Sequence, residues 1–220
     1  MHIIAFAGQK QSGKSSGCDY IKSVSTSKVI ERSFAALLKK YCMEVLGLTY
    51  AQCNGFDCDK DSLTNFRWEN VYIYFRTKYN DNPDKPKIGF MTAREVMQVQ
   101  GEMQRRMFCK DIWVDALFRN MDLSANSREI NIITDCRHKN EIEKCLELGG
   151  CIIHLLKKTN NSNADSEKEI ESLEWELYKQ KYIGKIFEID NTYMTIDQKN
   201  IEISKILSNI GIPTTDVSYM

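Results

Sequence analysis

The chain has 220 residues, 42% of them hydrophobic, with 30 basic and 30 acidic side chains, enough to bury one core with a subdomain attached. Balanced charge leaves no field that would draw it to polymeric nucleic acid or an anionic membrane, and no apolar run approaches the roughly 20 residues that span a bilayer. The eight cysteines form no CxxC pair and no Cys/His spacing for a zinc site; reduced, mostly buried thiols are expected, and the lack of a basic start before HIIAFA argues against a signal peptide and for a cytoplasmic location.

In chain order, HIIAFA (2–7) reads as a buried parallel strand, and helical patterns follow near 14–24 and 35–46. The stretch 49–90 is polar and turn-rich, with NGFDCDKD and NDNPDKPK, and reads as an excursion from a sheet. Helical patterns near 92–107 and 111–121 come next. EINIIT (129–134), CIIHLL (151–156) and KIFEI (185–189) are further short runs rich in β-branched residues, with helical patterns near 139–148, 166–180 and 195–208. Strand alternating with helix predicts an α/β fold with an open, mainly parallel sheet and helices on both faces. TNNSNADSEK at 159–168 has the composition of a surface loop, the kind of segment that carries lids.

Directly after the first strand stands GQKQSGKSS, in which Gly8, Gly13, Lys14 and Ser15 fit GxxxxGKS. A strand leads in and a helix leads out, the context that gives the motif its meaning. The glycines let the backbone curl so that successive amides point inward, and the helix start at Lys14, Ser15 and Ser16 adds its positive end to the same cavity. Lys14 would lie along the β- and γ-phosphates of ATP, and the Ser15 hydroxyl would reach Mg²⁺. A GTPase needs a guanine-reading NKxD, and none is present.

A kinase needs a second anion site for its acceptor. In TAREVMQVQGEMQRR (92–106), Thr92 and Glu95 form a capping box. Helical spacing puts Arg94, Gln98, Gly101 and Arg105 on one face, and Val96, Val99, Met103 and Met107 on the other. The first face offers two phosphate-binding arginines, an amide that can pair with a base edge, and a glycine where a ligand could approach; a solvated polar face is the plainer reading. In IITDCRHKNEIE (132–143), Asp135 stands at a strand's C-terminal end, where open α/β sheets place ligands. It could hold the Mg²⁺ shell, and Arg137 could neutralise charge on the transferring phosphoryl group. Alternatively Asp135 caps the next helix and Arg137 pairs with Glu141. The aromatic run FRWENVYIYF (66–75) reads mainly as insert core, and His2, His138 and His154 as non-catalytic.

Taken in order, these residues resemble the deoxynucleoside monophosphate kinases of tailed phages, of the T-even type, over most of the chain. The marks are Gly8, Lys10, Ser12, Gly13 and Lys14 in the loop; GFDCDKD from Gly55 to Asp61, with Lys60 in the place of an arginine; Arg94, Gln98 and Gly101; Trp113 and Val114; Asp135, Arg137 and Glu141; Gly149 to His154; and Ile189 with Asn191. The resemblance implies one P-loop kinase domain over 1–220, with an acceptor-binding insert near 49–110 and a lid near 157–180. It implies transfer of the ATP γ-phosphoryl group to a deoxynucleoside monophosphate, with Mg²⁺ on Ser15 and Asp135, catalysis by Lys14, Asp135 and Arg137, and a possible homodimer. ATP would lie on Gly8, Lys10, Ser12, Gly13, Lys14, Ser15 and Ser16, and the acceptor on Asp57, Lys60, Arg94, Gln98, Gly101 and either Arg105 or Arg106. Ser15 departs from the family's frequent Asp, Lys157 stands at the lid's arginine position, and Ala164, Asp165, Ser166 and Glu167 replace a lid element carrying histidine. Animal-type phosphomevalonate kinases have a similar loop and strand end and give the alternative enzyme; a nucleotide-binding protein without transfer gives the other.

Overall fold

A computed structural model describes residues 2–121, 129–157, 170 and 172–215. Its strands are β1 (His2–Ala7), β2 (Val29–Arg32), β3 (Leu63–Arg67), β4 (Phe90–Thr92), β5 (Ile130–Cys136), β6 (Cys151–Leu156) and β7 (Ile186–Asp190). Helices α1 to α8 cover Lys14–Val24, Ala36–Glu44, Tyr50–Asn54, Asp57–Lys60, Ile73–Lys78, Ala93–Met107, Ile112–Arg119 and Lys139–Glu147, and two later helices cover Trp175–Lys181 and Ile196–Asn209. The chain divides into two compact units, one of residues 1–34 with 117–220 and one of residues 35–116.

The first unit is built on a parallel sheet in the order β2-β5-β1-β6-β7. Ile4, Ala5, Phe6 and Ala7 are fully buried, because the central strand is covered on both faces, and this is why it reads as an unbroken apolar run. Ile4, Phe6, Ile132, Ile153 and Leu155 share one face with Cys18, Ile21 and Val24 of α1 and with Ile203, Ile206 and Leu207 of the Ile196–Asn209 helix. On the opposite face Gly150 lies against Ile3, so closely that a Cβ there would come within 2.9 Å of the Ile3 Cβ, and α8 packs over β1 and β6. Helices therefore cover both faces. From β1 the chain moves outward to β2, returns through β5 and crosses to β6, which makes the C-terminal end of β1 the point where the strand order reverses and ligands lodge.

The expected strands are present with shifts of one or two residues at their ends. β2 has no counterpart in the hydropathy pattern: VIER is a four-residue edge strand with Glu31 exposed, too short and too polar to stand out. Of the helix expected over 166–180, the described part is Trp175–Lys181, and Ala164, Asp165, Ser166 and Glu167 lie outside the described residues.

The second unit has its own core of Cys42, Leu48, Cys53, Trp68, Phe75, Met91, Ala93, Val96 and Val99, with β3 and β4 paired antiparallel. Trp68 and Phe75, from the aromatic run, are buried in it, and the Trp68 indole N–H donates to Glu95 Oε2 at 3.3 Å. α6 starts as its sequence predicts, with Thr92 and Glu95 bonding reciprocally. Its apolar side is shorter than expected, since Val96 and Val99 are buried while Met107, at the last turn, is 67% exposed.

Glu102 is the unforeseen residue of α6. It is buried, and its carboxylate accepts from Lys78 Nζ at 2.7 Å, Tyr79 Oη at 2.8 Å and Arg106 Nε at 2.5 Å. Burial pushes its carboxyl pKa up, but these three donors outweigh that and hold it below the ordinary 4.5. A carboxyl depressed by folding contributes stability above its unfolded pKa, and that contribution is lost as pH falls through the folded value. Glu102→Gln is therefore expected to cost about 1–3 kcal/mol at pH 7, with the deficit shrinking in acid below 4.5; urea unfolding at the two pH values checks it.

Candidate active site

The phosphate loop follows β1 at the switch point. Gly8 has φ 138°, and a Cβ there would fall 2.5 Å from the Leu155 carbonyl oxygen and 2.9 Å from Ser12 Oγ, so only glycine fits. Gly13, at φ 93°, precedes α1 and brings no side chain to cap it. By contrast, Thr49, Thr92 and Thr195 cap α3, α6 and the Ile196–Asn209 helix. The first turn of α1 is thus shaped to face an anion with backbone amides and the positive helix end.

Lys14 is buried and bends back over the loop. Its Nζ donates to the Gly8 carbonyl at 2.8 Å, the Gln9 carbonyl at 2.5 Å and Ser12 Oγ at 3.4 Å. The ammonium is held at the loop by exchangeable carbonyl bonds, which a phosphate oxygen can replace. Ser12 is fully buried, whereas Lys10 and Ser15 are exposed and Ser16 is half-buried. Gln11 takes φ 63°, an unusual left-handed position for a residue with a side chain.

Two residues with no assigned role complete the loop's support. Asn191 Nδ2 donates to the Ser12 carbonyl at 2.7 Å, and Lys199 Nζ donates to the Gly13 carbonyl at 3.2 Å and to Ser16 Oγ at 2.5 Å. Asn191 was visible in sequence only as a mark of resemblance. Lys199 had a signal of its own: at four, seven and eight residues before Ile203, Ile206 and Leu207 it falls on the apolar stripe of its helix, where a charge is anomalous.

Asp135 is the penultimate residue of β5, and His138 occupies the N-cap position of α8. Asp135 Oδ2 accepts from Ser33 Oγ at 2.7 Å and its Oδ1 from the Phe34 N–H at 2.9 Å, tying the end of β5 to the chain leaving β2. Positions 137 and 141 are bonded, the backbone N–H groups of Arg137 and His138 donating to Glu141 Oε2 at 2.7 and 2.9 Å. A carboxylate and the exposed Ser15 hydroxyl are hard oxygen ligands of the kind that fit Mg²⁺. His154 is packed rather than reactive: its ring stacks on Trp175 at 4.0 Å between centroids, with Nδ1 3.2 Å from Glu188.

The remaining candidates belong to the second unit. Arg94 is gripped by two carboxylates, Nε donating to Asp61 Oδ1 at 2.6 Å and Nη2 to Asp57 Oδ1 at 2.8 Å. The structure thus joins Arg94 with Asp57 and adds Asp61, which the sequence offered only as the end of GFDCDKD. Gln98 is exposed, Arg105 and Lys60 are half-buried, and Arg106 is exposed, bonded to Glu102 and stacked 5.0 Å from the Tyr74 ring centroid. Gly101 is explained by packing: a Cβ there would meet Leu38 at 2.9 Å, and its carbonyl accepts the Trp113 indole N–H at 3.1 Å. The room expected for a ligand is taken by Leu38.

Residues 79–175 match the family described as deoxynucleotide monophosphate kinase. The matched segment, somewhat under half of the chain, carries the pattern of a nucleoside monophosphate kinase and holds α6 with Arg94 and the β5 end with Asp135, while the phosphate loop precedes it. No curated protein matches the chain in sequence. Among solved structures it is similar to a thymidylate kinase from Candida albicans, at 12% identity and a TM-score of 0.42, with 97% of this chain and 96% of that one covered.

Proposed function

We propose that the enzyme transfers the γ-phosphoryl group of ATP to a deoxynucleoside 5′-monophosphate, giving the diphosphate for DNA precursor synthesis. The observation that carries this reading is the phosphate cradle: a loop that only glycine can close at position 8, an uncapped α1, and a buried Lys14 amine bonded to the loop's own carbonyls. The family match supports the monophosphate acceptor and its deoxyribose.

In this reading the amides at the start of α1 receive the triphosphate, and Lys14 leaves the Gly8 and Gln9 carbonyls for the β- and γ-phosphates. Ser15 and Asp135 would hold Mg²⁺, which supplies neutralisation of the phosphate charge when bound. Arg94 binds the acceptor's phosphate, with Asp57 and Asp61 fixing the plane of the guanidinium; Gln98 faces the base, Lys60 and Arg105 or Arg106 add positive charge, and Arg137 acts on the transferring group. Little covalent work falls to the protein, so positioning and charge account for the rate. The motif order from Gly8 to Asn191 further supports an enzyme of the tailed-phage, T-even type, acting in the cytoplasm as a homodimer.

A coupled assay of ADP release from ATP tests the reading, with the four common deoxynucleoside monophosphates, their ribose counterparts and phosphomevalonate as acceptors. Deoxynucleotides are expected to raise ADP release well above the rate with ATP alone. A response to phosphomevalonate only, or to no acceptor, overturns it.

A further inference from the structure

Lys199 is 3% exposed, and a buried ammonium costs several kcal/mol unless something compensates it. The compensation in view is partial. Nζ donates to the Gly13 carbonyl and to Ser16 Oγ, and Ser16 Oγ donates in turn to the same Gly13 carbonyl at 3.0 Å. No carboxylate pairs with Lys199 among the described residues. Its charged surroundings have the wrong sign: Lys157 acts on it with like charge, the first turn of α1 presents its positive end, and Lys14 lies on the same loop. Burial first, and Lys157 second, push the Lys199 pKa down from its ordinary value.

An apolar side chain such as Met would fill this stripe position without these penalties, so packing alone gives no reason for a cation. An anion at the start of α1 does. The phosphates that α1 receives would supply the counter-charge that the fold withholds, while Lys199 fixes the Gly13 carbonyl and the Ser16 hydroxyl from behind and Asn191 fixes the Ser12 carbonyl.

We propose that Lys199 is a positioning residue of the phosphate loop whose charge is held in place for the triphosphate, so that nucleotide binding and burial of the lysine stabilise each other. This rests on the reading of the loop as the ATP site. The test compares wild type, Lys199→Met and Lys199→Gln for binding of ATP and of inorganic tripolyphosphate by calorimetry, with melting temperatures measured in parallel. Gln keeps a donor without the charge and guards against Met failing to fold.

Both variants are expected to lose about tenfold or more in affinity for ATP and for tripolyphosphate alike, with a smaller ligand-induced rise in melting temperature and an unchanged acceptor KM. Wild-type affinity for tripolyphosphate in either variant overturns the inference, whatever its melting temperature, and leaves the ATP reading standing. Loss for ATP but not for tripolyphosphate overturns it also, because the charge would then not be acting on phosphate. Failure of the wild type to bind either ligand sinks the ATP reading and this inference with it.

Discussion

Lys14→Met is expected to lower kcat about 100- to 1000-fold, the loss typical of one charge-stabilising donor removed from a transition state, or roughly 3–4 kcal/mol. The side chain is the cation nearest the loop's own backbone, its Nζ within 2.8 Å of two carbonyls. Its loss also takes the Nζ donor from the Gly8 carbonyl, while the Gln9 carbonyl still accepts the Ser12 N–H at 3.2 Å, a stability cost of about 1–3 kcal/mol. Two readouts separate the effects. A fall in kcat that persists well below the variant's melting temperature is catalytic, whereas a variant that regains wild-type kcat on cooling would show Lys14 to be a structural tie. A loss of less than about tenfold would remove it from the phosphates altogether.

Arg94→Ala is expected to act on the other substrate. Truncating a hydrogen-bonded arginine at an anion site costs about 2–3 kcal/mol, so kcat/KM for the acceptor should fall roughly 30- to 150-fold while KM for ATP stays within about twofold. The grip of Asp57 and Asp61 sharpens the prediction. These carboxylates engage Nε and Nη2 and hold the Arg94 pKa above its ordinary value, Asp61 contributing most, so they set the orientation in which the fork meets an incoming phosphate. Asp61→Asn weakens that orientation and should raise acceptor KM by about tenfold. Steady-state kinetics at saturating ATP reads both, and an equal loss of ATP affinity in Arg94→Ala would end its assignment to the acceptor.

What could be read from the sequence followed the range of the contacts involved. Four of the sheet's five strands were legible, those at its centre because burial on both faces leaves unbroken runs such as HIIAFA and CIIHLL, and the loop was legible because its glycines and Lys14 lie within seven residues. The capping box of Thr92 and Glu95 was equally local. The structure of 49–90 was not legible: α3 and α4 are five and four residues long, and their core partners Cys53, Trp68, Phe75 and Met91 are spread too thinly for any period to show. Asn191 and Lys199 reach the loop from 179 and 186 residues away, a pairing that no window along the chain contains. Glu102 escaped notice because a helix packed around most of its girth buries positions on the side that the hydropathy pattern assigns to water.

The second unit is one uninterrupted stretch, residues 35–116, and the first resumes at Leu117. The rings of Phe34 and Phe118, which flank the departure and the return, meet edge to face with centroids 6.0 Å apart. Chain ends held this close need only a short bridge, and the closure entropy of whatever lies between them grows slowly with its length. The phosphate-loop unit is thus a socket, tolerant of the size and content of what is spliced into it. On the function proposed, a lineage could trade one acceptor-recognition cassette for another, and so change which monophosphate it consumes, without disturbing a residue that handles ATP.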